Sequence, residues 1–90
     1  MCTYETAHVA LPRSSAKFTG GWRALEEATV YLDHPVDAPV DHSLNLDFRR
    51  GAERVAVELD PAAARELAVA ILTMLDRAPV GLLKDLPVHG

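Results

Sequence analysis

His42-Ser43-Leu44-Asn45-Leu46-Asp47-Phe48 alternates apolar and polar side chains at every step from Ser43 onward. Successive side chains of an extended chain point to opposite faces, so Leu44, Leu46 and Phe48 share one side and Ser43, Asn45 and Asp47 the other. A segment of this kind is a strand with one face on a core, the pattern of an antiparallel sheet. Downstream, Arg49-Arg50-Gly51-Ala52 reads as a hairpin turn in which Gly51 supplies a positive φ. Arg54 to Leu59 then resumes the alternation, with Val55, Val57 and Leu59 facing the core. Upstream, Glu27 to Asp33 behaves the same way: Ala28, Val30 and Leu32 share one face, and Thr29, Tyr31 and Asp33 the other. Thr3 to Leu11 alternates more loosely and stops at Pro12, which suits an edge strand. Pro12 to Gly21 reads as a loop, with Gly20-Gly21 giving conformational freedom just before Trp22.

Asp60-Pro61 opens a helix. Asp caps the free amides of the first turn, and Pro fits the first helical position because it has no N–H to lose. The helix is expected to run to about Arg77 and to stop before Pro79. Ala64, Leu67, Ala68, Ile71, Met74 and Leu75 recur at helical spacing and are expected to form its buried stripe, with Arg65, Glu66, Asp76 and Arg77 facing water. The expected fold class is therefore α+β: a four-stranded antiparallel sheet in the order β-β-β-β-α, with one C-terminal helix packed on one face. Residues 1–78 form a single domain and 79–90 a C-terminal tail that includes Leu82, Leu83 and Leu86. One helix covers one sheet face and leaves the other, carrying Thr29, Tyr31, Asn45, Asp47 and Glu58, open to water.

The bulk properties narrow the function. Ninety residues make one domain with a thin stability margin. The hydrophobic fraction of 49 % is that of a globular protein. A net charge of −4 argues against nucleic acid, whose phosphates require a basic face, and against an anionic membrane surface. Cys2 is the single cysteine, so no intrachain disulfide forms and a reducing compartment fits. The N-terminus shows no basic stretch followed by an apolar run, and Leu67 to Leu75 is too short to span a bilayer. The expected location is cytoplasmic.

The loop Asp33-His34-Pro35-Val36-Asp37-Ala38-Pro39-Val40-Asp41-His42 carries the best chemistry. His34 lies two residues beyond Leu32, and His42 two residues before Leu44. If the extended geometry persists, both imidazoles are aimed toward the helix side at one rim of the sheet. Pro35 and Pro39 stiffen the connection between them. Neutral imidazole ligates Zn, Cu and Fe, and two His plus a carboxylate make a facial triad. The expected metal ligands are His34 and His42, completed by Asp37 or His8, around a divalent transition metal such as Zn, Fe or Cu. The bland reading is an ordered hairpin whose Asp-His-Pro is turn chemistry. The chain has no P-loop, no Gly-x-Ser-x-Gly, no His-Glu-x-x-His and no Cys-x-x-Cys.

Met1-Cys2-Thr3, Gly21-Trp22, Glu27-Ala28-Thr29-Val30-Tyr31, Asp33-His34-Pro35-Val36, Leu44-Asn45-Leu46-Asp47-Phe48 and Arg54-Val55-Ala56-Val57-Glu58-Leu59 together resemble a family of short bacterial proteins of unknown function found mainly in actinobacteria. The resemblance runs to about Ala78. It implies a bacterial source and an autonomous domain, and it implies no activity. Members often carry His at the position of Asp37 and Glu at that of Asp41, so the resemblance implies a loop richer in His than this one.

Two functions stay open at this point. One is a small metal- or ligand-binding protein, or an enzyme of small-molecule metabolism, that uses His34 and His42. The other is a non-catalytic interaction module, for which a homodimer is the expected form because a small open sheet leaves faces and edges to cover.

Overall fold

The computed structural model describes residues 5–83. Six strands and a helix follow one another: β1 (Thr6–Ala10), β2 (Ser15–Phe18), β3 (Gly21–Ala24), β4 (Glu27–Asp33), β5 (Ser43–Arg50), β6 (Glu53–Leu59) and α1 (Pro61–Arg77). Four of the strands form one antiparallel sheet in the order β1-β4-β5-β6, as the alternation predicts. Thr3 and Tyr4, which the sequence assigns to the first strand, lie outside the described residues, as does the tail from residue 84 on.

The register sorts the side chains cleanly. Val30 pairs with Leu46, Leu32 with Leu44, and Ala28 with Phe48; on β6, Val57 stands opposite Leu46 and Leu59 opposite Leu44. These residues make one apolar face. Thr29 opposite Asp47, Tyr31 opposite Asn45 and Glu58 opposite Asn45 make the polar one. The β5–β6 turn is tighter than Arg49–Ala52. Arg50 pairs with Glu53, leaving Gly51 and Ala52 as a two-residue loop, with Gly51 at φ 57°.

One expectation is corrected at the N-terminal end. The stretch read as a loop from Pro12 to Gly21 contributes to a second, two-stranded sheet in which Lys17 faces Trp22 and Phe18 faces Gly21. Thr19 and Gly20 form its turn, and Gly21 takes φ 119°, a conformation that side-chain-bearing residues avoid. Trp22 is 70 % exposed there and plugs no core among the described residues.

The helix starts where Asp60-Pro61 places it. An Asp60 carboxylate oxygen accepts the Ala63 amide at 3.1 Å, and Pro61 is the first helical residue. Its burial departs from expectation. Leu67, Ile71, Met74 and Leu75 were to be covered, yet α1 has no buried residue in the single chain. It approaches the sheet alongside β5 and leaves an apolar cleft of about 620 Å³, lined by Val30, Leu32, Leu44 and Leu46 below and by Leu67 and Ile71 above. Periodicity gives the apolar side of a helix, not the closeness of what it meets.

The sheet faces also differ from expectation. The polar face was to be open, yet it holds the most buried polar side chains: Ser43, Asn45 and Asp47. Tyr31 and Arg54 both reach across to Asp47, and the loop between β4 and β5 is tethered to Glu58 on the same face.

Candidate functional site

The β4–β5 loop is built by the ladder that precedes it. Leu32 pairs with Leu44 and Asp33 with Ser43, so His34 and His42 stand at the next opposed positions. Their rings come together, with centroids 4.6 Å apart and planes inclined at 32°. His34 Nδ1 lies 3.2 Å from the Asp41 carbonyl oxygen. A carbonyl only accepts, so Nδ1 carries the proton and the neutral ring presents its lone pair at Nε2. The His34 amide donates to the Asp33 carboxylate at 2.7 Å, which bends the chain out of the strand.

Glu58 anchors the middle of the loop. Its carboxylate accepts the Val36 amide at 2.5 Å, the Asp37 amide at 3.1 Å and the Ala38 amide at 3.4 Å. The Val36 and Asp37 amides hold its carboxyl below the ordinary value; partial desolvation opposes them, and the Ala38 amide adds to the lowering. The sequence places Glu58 on the polar face but does not connect it to this loop. Three successive amides converging on one acid is an anion-binding turn whose anion is a side chain of the neighbouring hairpin.

Of the four expected ligands, the fold brings two together. His34 and His42 are adjacent. Asp37 lies in the loop between them, with its amide committed to Glu58. His8 stands on β1 opposite Thr29, five ladder positions from His34 and so about 16 Å along the strand. There its Nδ1 lies 3.3 Å from Thr29 Oγ1 and 3.4 Å from a Glu27 carboxylate oxygen. Among the described residues no group of three or more His, Cys, Asp or Glu side chains is placed to hold a metal ion.

The polar face carries a second cluster. Tyr31 donates its hydroxyl to Asp47 Oδ2 at 3.0 Å, and Arg54 reaches the same oxygen at 3.3 Å. Ser43 donates to Asn45 Oδ1 at 2.5 Å. These bonds satisfy most of what the face buries; Asp47 Oδ1 is buried without a hydrogen-bond partner among the described residues.

The opposite face offers area instead of chemistry. Large apolar side chains stand exposed along α1, Val69 at 56 %, Leu72 at 60 % and Met74 at 74 %, beside the cleft over β4 and β5. Soluble monomers rarely leave so continuous an apolar surface to water. No described helix is long and apolar enough to cross a membrane.

No curated protein and no solved structure matches the chain. A model described as a family of unknown function (DUF6295) matches residues 1–84, and the chain belongs to that family.

Proposed function

We propose that the domain is an association module whose working surface is α1 together with the apolar face of the sheet. One observation carries this reading. Among the described residues Ala28, at 7 % exposure, is the only hydrophobic residue that the single chain buries. Burying apolar area is the main favourable term in folding, and ordering each residue costs about 1–2 kcal/mol of backbone entropy. A sheet and helix that leave their apolar sides this open gain their core by being covered.

A scan along α1 tests the reading. Positions this exposed tolerate glutamate within about 0.5 kcal/mol when they face only water. Val69→Glu, Leu72→Glu and Met74→Glu should each lower the apparent melting midpoint by at least about 5 °C, while Ala70→Glu, on the helix's polar arc, leaves it nearly unchanged. If all four are tolerated alike and the wild-type chain binds no apolar dye, the surface is not used for association.

A second reading, ligand binding at the loop, is favoured by the paired imidazoles and by the proton fixed on His34 Nδ1. His34 and His42 would then supply two nitrogen ligands to a divalent transition metal such as Zn, Fe or Cu. Protein purified without an affinity tag should carry close to one metal per chain, and His34→Ala with His42→Ala should remove it. Metal content well below stoichiometric after dialysis against the free ion leaves the pair a structural contact.

A further inference from the structure

We propose that α1 pairs with α1 of a second copy of this chain, antiparallel about a two-fold axis, along the seam Arg65–Val69–Leu72–Asp76. The inference rests on the reading of α1 as part of an association surface and names its occupant. The four residues are spaced four, three and four apart, the spacing of a coiled-coil seam. Their mean direction lies a little over a quarter of a turn from the stripe of Ala64, Ala68 and Ile71 that lines the cleft; Arg65 borders the cleft as well, while Val69, Leu72 and Asp76 stand clear of it, so the helix can use both sides at once. Apolar residues thus occupy more than half of the helix circumference, as in a helix covered on two sides.

The seam is self-complementary in one direction only. With the axis between Ala70 and Ile71, Val69 of one copy meets Leu72 of the other, and Arg65 meets Asp76. Each pairing occurs twice by symmetry. A parallel pairing would set Arg65 against Arg65 and Asp76 against Asp76. All four residues are exposed in the single chain, and among the described residues neither Arg65 nor Asp76 takes part in an ion pair.

Exposure and charge favour a second copy. Val69 is 56 % and Leu72 60 % exposed on the described helix, and the partner that meets them between an Arg65 and an Asp76 is the same seam turned end for end.

The test is charge reversal in the full chain, followed by sedimentation equilibrium between about 1 and 100 µM. Wild type should be dimeric. Arg65→Asp alone and Asp76→Arg alone should each weaken the dimer by about tenfold or more, and the effect should shrink in high salt. The double reversal should restore the wild-type constant to within about threefold, and an equimolar mixture of the two single variants should form a heterodimer. Residues 65 and 76 lie about 16 Å apart along the helix, so rescue cannot arise within one chain. A dimer indifferent to the single reversals, or one that the double reversal does not restore, overturns the seam. A wild type that is monomeric throughout overturns self-pairing. If that monomer binds an apolar dye and Leu72→Glu abolishes the binding, the association surface survives with another occupant; if it binds none and tolerates the glutamate scan, both readings fall.

Discussion

Replacing Leu46 by alanine is expected to cost about 2 kcal/mol, a large fraction of the stability of a domain of this size. Leu46 sits on β5, an inner strand, with Val30 opposite on β4 and Val57 opposite on β6. It also forms part of the floor of the cleft beneath α1. Truncation therefore removes methyl groups from the point where three strands and the helix converge, and no neighbouring side chain can collapse into the gap without moving a ladder. The cost stays at the lower end of the range for buried leucines because the site is only partly enclosed in the single chain. Leu82→Ala, in an exposed segment after the helix, is the matched control and should shift stability by less than about 0.5 kcal/mol. Urea unfolding followed by far-ultraviolet circular dichroism, at one fixed chain concentration, reads both. Equal effects of the two substitutions would mean that the apolar sheet face is not where the folding energy resides.

That face is legible in the sequence, because a period of two leaves its mark in the residues. Leu44, Leu46 and Phe48 share a face with Val30 and Leu32 in the observed register, and a slip of one residue would send every leucine to water. The same register makes the meeting of His34 and His42 readable, as the pair that follows Asp33 and Ser43. The hairpin of β2 and β3 was not legible. Its strands have four residues each, so the alternation of Ala16 and Phe18 with Ser15 and Lys17, and of Trp22 and Ala24 with Gly21 and Arg23, runs too few steps to stand out from a loop. The other local signal is a pair of aromatics, Phe18 and Trp22, around Thr19-Gly20-Gly21. The looseness of the helix was illegible for a different reason. Ala64, Ala68 and Ile71 report that a side of α1 is apolar, but the distance to the sheet depends on what else occupies the space between, which lies outside this chain's own pattern. The burial of Asp47 likewise follows from long-range neighbours, Tyr31 and Arg54, that no local rule connects to it.

The β4–β5 loop should come loose when Glu58 loses its charge, and the readout is the exchange of the Val36 and Asp37 amides. Both donate to the Glu58 carboxylate, an acceptor that is strong because it is ionised. Val36 lies in the tip of a loop whose own backbone offers few partners; Val40 to Ala38 is its single internal bond outside strands among the described residues. Glu58→Gln keeps the size and one carbonyl acceptor but removes the charge, and Glu58→Ala removes everything. Exchange at Val36 and Asp37 should speed up on the order of tenfold in the first and further in the second, while the β5 amides of Leu44 and Leu46 change little. The pH dependence follows from the sign of the shift. The carboxyl titrates below its ordinary value in the folded chain, so its contribution is complete above the unfolded value and is lost as pH falls through the lowered folded one. Wild-type protection of the two amides, corrected for intrinsic exchange, should therefore collapse on acidification, and Glu58→Gln should show no such step. The imidazoles supply the second consequence. His34 is held by the Asp41 carbonyl at the far end of the same loop, so its 4.6 Å approach to His42 depends on the loop staying down. Release of Glu58 should broaden the His34 and His42 ring signals together. Ring signals that stay sharp after the Val36 and Asp37 amides have opened would show that the two ends of the loop are independent, and that the histidine pair is held by the β4–β5 ladder alone.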